Sequence, residues 1–162
     1  LLKDYKKIKL LLVGFYEPDL DPLRNDTMEL IKNLNSIIEV GYQDDVRPFL
    51  SISNTFVFPS YREGFPGAVM QAGAMGLPSI VTNISGCNEI IVDQINGKII
   101  PPRNTESLRN AMEYFITNLD KTTKFANNAR KLILDRYDQN IIFKAIKKKY
   151  DLLLNENGFF HS

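Results

Sequence analysis

The sequence has one cysteine, Cys87, and one histidine, His161. A lone cysteine excludes a disulfide scaffold and a multi-cysteine zinc or iron–sulfur centre. No apolar run approaches the ~18 residues of a membrane-spanning helix. Neither sign of charge dominates: 20 Lys+Arg face 19 Asp+Glu, a net +1. That balance excludes a strongly basic nucleic-acid binder and an acidic disordered tail. There is no internal repeat and no low-complexity linker. Leu1 is not an initiator Met, and Leu1-Leu2-Lys3-Asp4-Tyr5 has none of the features of a signal peptide. The chain therefore reads as a piece of something longer. What is present is 162 residues, 44% hydrophobic and 24% charged. This is an ordinary globular composition in the length range of one domain, and a chain of this length buries roughly 70% of its unfolded surface without a staple.

Short apolar runs bounded by turn residues predict buried strands over Ile8–Val13 (closed by Gly14), Ile37–Val40 (closed by Gly41), Thr55–Phe58, Ser79–Thr82 and Lys98–Ile100. None alternates cleanly between polar and apolar, the pattern of strands covered on both faces of a parallel sheet. Helices are predicted between them, over Leu23–Leu34, Asp44–Ser51 and Pro66–Met75. In the last of these, Pro66 stands as first residue, and Gly76 with Pro78 marks the stop. Its small Ala72, Gly73 and Ala74 let it approach the sheet closely. Leu108, Ala111, Met112, Phe115, Ile116 and Leu119 share one face of a further helix, which Asn104 or Thr105 can cap. Two more run over about Lys121–Arg136 and Gln139–Leu154. Strands alternating with helices give right-handed crossovers and a Rossmann-like, doubly wound α/β sheet. Ligands of such sheets bind at the carboxyl ends of the strands, after Val13, Val40, Phe58 and Thr82.

The loop after Phe58 is chemically the richest: Pro59-Ser60-Tyr61-Arg62-Glu63-Gly64-Phe65-Pro66-Gly67, opening directly into a helix. Gly64 and Gly67 permit close approach to the backbone. The amides at the helix start favour an anion. Glu63 is a carboxylate able to accept hydrogen bonds from hydroxyls, and Gln71 follows one to two turns into the helix. These features describe a site for a phosphate joined to a polyol. They equally describe a plain strand–turn–helix with a stabilising acid near the helix start.

The segment Phe56–Gly67, continuing through Gln71–Thr82, Gly86-Cys87-Asn88-Glu89 and Asn96–Pro102, resembles the signature of the family 4 (group 1) retaining glycosyltransferases. Gly41-Tyr42-Gln43-Asp44-Asp45-Val46, followed by Leu50, resembles the family's segment lining the base pocket. The resemblance covers nearly the whole chain and implies the C-terminal, donor-binding half of the two-domain GT-B fold. The N-terminal acceptor domain is absent from the chain, so the chain alone is expected to be inactive. The resemblance makes Glu63 the acid that contacts the donor sugar's hydroxyls. It places Gly14, Tyr42, Val46, Ser60, Arg62, Gly64, Phe65, Pro66, Gly67 and Gln71 at the donor. Gln71 stands where the family has a second acid, eight residues after the first, on the ribose hydroxyls. It keeps a carbonyl acceptor and loses the charge, and charged hydrogen bonds are roughly twice as strong as neutral ones. The resemblance further implies a nucleotide sugar, a UDP-sugar, as substrate, with no metal or other cofactor. It implies a polysaccharide or lipid-linked acceptor, no nucleic-acid partner, and a cytoplasmic location, with peripheral attachment at the inner membrane face as the alternative to a free one.

Other readings rank lower. Glu17, Asp19 and Asp21 cluster in a loop, but hard-cation sites need more convergent oxygens. Cys87 as nucleophile needs a base, and the only histidine lies in the C-terminal tail. Lys144, Lys147, Lys148 and Lys149 make the last helix either a packed helix with a solvated charged side or a contact for an anionic membrane. A GT-B nucleotide-sugar epimerase and a non-catalytic α/β binding module are the alternatives for the whole chain.

Overall fold

The computed structural model describes residues 1–20 and 22–156. The chain divides into two compact units, Leu1–Asn54 and Thr55–Ser162.

In the first unit, β1 (Leu10–Val13) pairs in parallel with β2 (Ile37–Gly41), Leu10 opposite Ile37. The register shifts after Leu12, which sets Val13 opposite Gly41. The crossover helix α1 (Asn25–Asn33) buries Ile31. A short α2 (Arg47–Ser51) buries Leu50. It starts later than the expected Asp44 because the Asp45 carboxylate accepts hydrogen bonds from the Arg47 amide (3.0 Å) and guanidinium (2.8 Å). That contact fixes a turn ahead of the helix. Both ions of the pair are largely exposed, so its contribution to stability is small.

The second unit holds three parallel strands in the order β3 (Phe56–Phe58), β4 (Ser79–Thr82), β5 (Gly97–Ile100). Phe56, Ser79 and Gly97 stand side by side. Only β4 is buried at every position; β1 and β2 keep exposed residues, contrary to the expectation of strands buried throughout. Alternation along β4 sends Ile80 and Val81 to opposite faces. Val81 packs with Val69, Cys87, Ile90, Ile91 and Ile133. Ile80 packs with Ile100, Ala111, Phe115 and Phe125. These are the two faces of a parallel sheet covered by helices, as the strand–helix alternation predicts.

The covering helices are α3 (Gly67–Ala74), α4 (Cys87–Ile90), α5 (Thr105–Thr117) and α6 (Leu119–Tyr137). The single turn of α4 was not predicted; it is too short to show a period. Asn104 caps α5, its side chain accepting from the Ser107 amide at 2.8 Å. Pro66 is the N-cap of α3 rather than its first helical residue. Gly73 serves α6 rather than the sheet: a Cβ there would lie 2.7 Å from Ile133 Cγ1. With 19 residues, α6 reaches both cores, through Phe125 at one end and Ile133 at the other. The last helix, α7 (Gln139–Glu156), is not packed along its apolar side: Phe143 is 62% and Tyr150 64% exposed. The apolar tail at Phe159 and Phe160, with His161, lies outside the described residues.

Candidate functional site

In the first unit, Gly14 and Gly41 end β1 and β2 with positive φ, +137° and +73°. The Gly14 amide donates to the Gly41 carbonyl at 2.9 Å, which brings the two strand ends together. The Tyr42 ring, 64% exposed, lies beside Phe15 with centroids 6.0 Å apart. Gln43 donates back to the Val40 carbonyl at 3.2 Å and pins the turn. Val46 is the N-cap residue of α2, and its carbonyl accepts from the Phe49 and Leu50 amides. Gly14 and Tyr42 therefore meet at the carboxyl end of the β1–β2 pair, where the sequence placed them.

In the second unit, Ser60 organises the loop between β3 and α3. Its hydroxyl donates to Glu63 Oε1 at 2.7 Å, and its carbonyl accepts from the buried Thr82 hydroxyl at the end of β4. The half-buried Glu63 carboxylate is thus tied to two strand ends. Gly64 rests on Gly86: a Cβ at Gly86 would lie 2.2 Å from the Gly64 carbonyl oxygen. The Glu89 carboxylate accepts from the Gly86 amide at 3.2 Å, closing the turn into α4.

Phe65 packs edge-on against Tyr137, the last residue of α6, with centroids 5.4 Å apart. The Tyr137 hydroxyl donates to the Glu89 carbonyl at 2.9 Å. The Pro66 carbonyl accepts from the Val69 and Met70 amides. The amides of Gly67 and Ala68 have no hydrogen-bond partner among the described residues, as expected for a helix start open to an anion. Arg62 and Gln71 are both exposed.

Cys87 is buried against this loop. Burial, and secondly the Glu63 charge, push its thiol above the ordinary range. A thiolate is disfavoured there. Among the described residues no three His, Cys, Asp or Glu side chains are placed to hold a metal. Asp21, part of the acidic cluster weighed above, lies outside the described residues.

The profile of the family "Glycosyl transferases group 1" matches residues 1–132. The chain belongs to the group 1 glycosyltransferases. Over 150 residues it is 27% identical to the capsular polysaccharide biosynthesis glycosyltransferase CapM of Staphylococcus aureus, covering 93% of this chain and 39% of that protein. Over 156 residues it is 30% identical to the N,N'-diacetylbacillosaminyl-diphospho-undecaprenol alpha-1,3-N-acetylgalactosaminyltransferase of Campylobacter jejuni, covering 95% of this chain and 39% of that protein. Among solved structures, Anabaena Alr3699/HepE in complex with UDP matches 89% of this chain and 41% of its own, with a TM-score of 0.82 and 21% identity. That likeness shows the fold, the α/β architecture of GT-B glycosyltransferases. The chain spans about two-fifths of the length of these relatives.

Three features of this group 1 chain were not read from its sequence. Tyr137 supports Phe65 from far along the chain, and no local pattern signals it. Gly86 lies within the segment carrying the family resemblance, but its packing on Gly64 depends on the tertiary approach of two loops. Arg103 sits with φ of +56° beside a cavity of about 390 Å3 at the carboxyl ends of β3, β4 and β5.

Proposed function

We propose that the chain is the C-terminal, donor-binding domain of a retaining glycosyltransferase that moves a sugar from a UDP-sugar to a polysaccharide or lipid-linked acceptor. The observation that carries this reading is the Ser60–Ala68 junction. A carboxylate held by Ser60 precedes two unpaired helix-start amides on the same short loop. Transfer from a nucleotide sugar builds positive charge at the anomeric carbon and negative charge on the departing diphosphate. Donors fixed in advance at the diphosphate lower that barrier, because they need no reorganisation as charge develops. In this reading Glu63 accepts from hydroxyls of the donor sugar, and the amides near Gly67 face the diphosphate. Gln71 accepts from the ribose.

The relatives' names support the acceptor class: one acts in capsular polysaccharide synthesis and another on a diphospho-undecaprenol. The UDP bound in the Anabaena neighbour supports the donor class. A second domain supplies the acceptor side, and the reaction runs without a metal. A lipid-linked acceptor sets it at the inner membrane face; among the described residues no helix is long and apolar enough to cross the bilayer.

The test is calorimetric titration of the protein, joined to its acceptor domain, with UDP, GDP, ADP and then UDP-sugars. Selective UDP binding is expected. UDP-sugars should bind more tightly than UDP, and Glu63→Ala should lose that increment alone. No nucleotide binding would overturn the transferase reading. An unchanged increment in Glu63→Ala would remove Glu63 from the sugar.

A further inference from the structure

The cavity at the carboxyl ends of β3, β4 and β5 takes up no residue of the donor loop's Glu63–Gly67 stretch. Its volume, about 390 Å3, falls within the roughly 300–1,000 Å3 of small-molecule sites. Its walls mix apolar and polar chemistry: Pro59, Pro101 and Leu108, with Tyr61, Thr82 and Arg103. Arg103 is the unusual member. Its φ of +56° is the left-handed region that glycine adopts freely and other residues adopt at a cost. The guanidinium lies 5.2 Å from the centre of the exposed Tyr61 ring. No carboxylate pairs with it among the described residues. An unpaired, aromatic-backed guanidinium at the rim of a cavity is suited to a carboxylate or phosphate, which it can grip with two parallel hydrogen bonds. The positive charge comes from this side chain, since Asn104 already caps α5 beside it.

We propose that this cavity binds an anionic sugar, its carboxylate or phosphate on Arg103 and its ring against Tyr61 and the apolar walls. The cavity is joined to the donor loop by hydrogen bonds. Thr82 in its wall donates to the Ser60 carbonyl, and Ser60 in turn donates to Glu63. The bound sugar is thus linked through Thr82 and Ser60 to the Glu63 carboxylate, and serves as a charged unit of the acceptor. That acceptor role rests on the transferase reading above; the binding itself does not.

The experiment is a titration of the isotope-labelled 162-residue chain, followed by amide shifts, with glucuronate, glucose 1-phosphate, glucose and inorganic phosphate. Glucuronate or glucose 1-phosphate should shift Tyr61, Thr82 and Arg103 and saturate. Glucose and inorganic phosphate should bind at least tenfold more weakly. Arg103→Gly should weaken the charged sugar at least tenfold while melting no lower than the parent, because glycine relieves the backbone. Equal binding of glucose, equal binding of inorganic phosphate, shifts elsewhere only, or unchanged binding in Arg103→Gly would each overturn the proposal. UDP added to the same sample reports separately on Glu63 and Gly64–Gly67. Silence there with a charged sugar bound overturns the donor reading and leaves a carbohydrate site. The reverse overturns the cavity proposal alone.

Discussion

Gly86 and Gly64 meet backbone to backbone, so closely that a Cβ on Gly86 would lie 2.2 Å from the Gly64 carbonyl oxygen and 3.0 Å from Pro66 Cδ. Gly86 also has φ of +79°, a conformation unfavourable for any side chain. Gly86→Ala therefore combines a clash against backbone with left-handed strain. The expected cost is about 2–4 kcal/mol, read as a lower urea midpoint with an unchanged slope. A variant as stable as the parent would show that the two loops separate freely.

Tyr137 joins Phe65 to the Glu89 carbonyl. Tyr137→Phe removes one hydrogen bond and keeps the ring, for an expected loss of about 0.5–1.5 kcal/mol. Tyr137→Ala also removes the half-buried ring, and about 2–4 kcal/mol should go. Equal losses in the two variants would assign the whole effect to the hydroxyl and none to the contact with Phe65.

Gln71 offers a neutral acceptor. If it holds the ribose, Gln71→Glu restores a charged one. A charged hydrogen bond exceeds a neutral one by about 1 kcal/mol, so UDP should bind roughly three- to tenfold more tightly. Calorimetry with UDP on both proteins decides it. Unchanged or weaker binding removes Gln71 from the ribose.

The Cys87 thiol is raised by burial and then by Glu63. Above the unfolded thiol value, about 8.5, the unfolded chain loses a proton that the folded chain retains. The stability this group contributes is full below that pH and falls as pH rises through the folded value. Urea midpoints should drop more steeply above about pH 8.5 in the parent than in Cys87→Ala. Parallel pH profiles would contradict the shift.

The strands and most helices were legible because their causes are local. The apolar runs ending in Gly14 and Gly41 became β1 and β2, and Ser79–Thr82 is β4 as read. The face from Leu108 to Ile116, with Asn104 before it, became α5 and its cap, whereas Leu119, read onto the same face, opens α6 and is exposed. The candidate loop between β3 and α3 was legible for the same reason: a carboxylate, two glycines and a helix start lie within one short segment. Boundaries moved where a side chain intervened, as Asp45 did ahead of α2.

The sequence by itself determined the succession of parallel strands and most of the helices between them, and the family. Tertiary structure decided what holds the residues of the β3–α3 loop and of α3 in place. Gly64 rests on Gly86, Phe65 on Tyr137, and Gly73 yields to Ile133. It also decided that Arg103 takes a left-handed backbone beside a cavity. Each of these joins segments far apart in the chain or sets a φ that the residue type does not prefer. Such features follow from packing, where many weak contacts outweigh one local preference, and no window of neighbouring residues contains them.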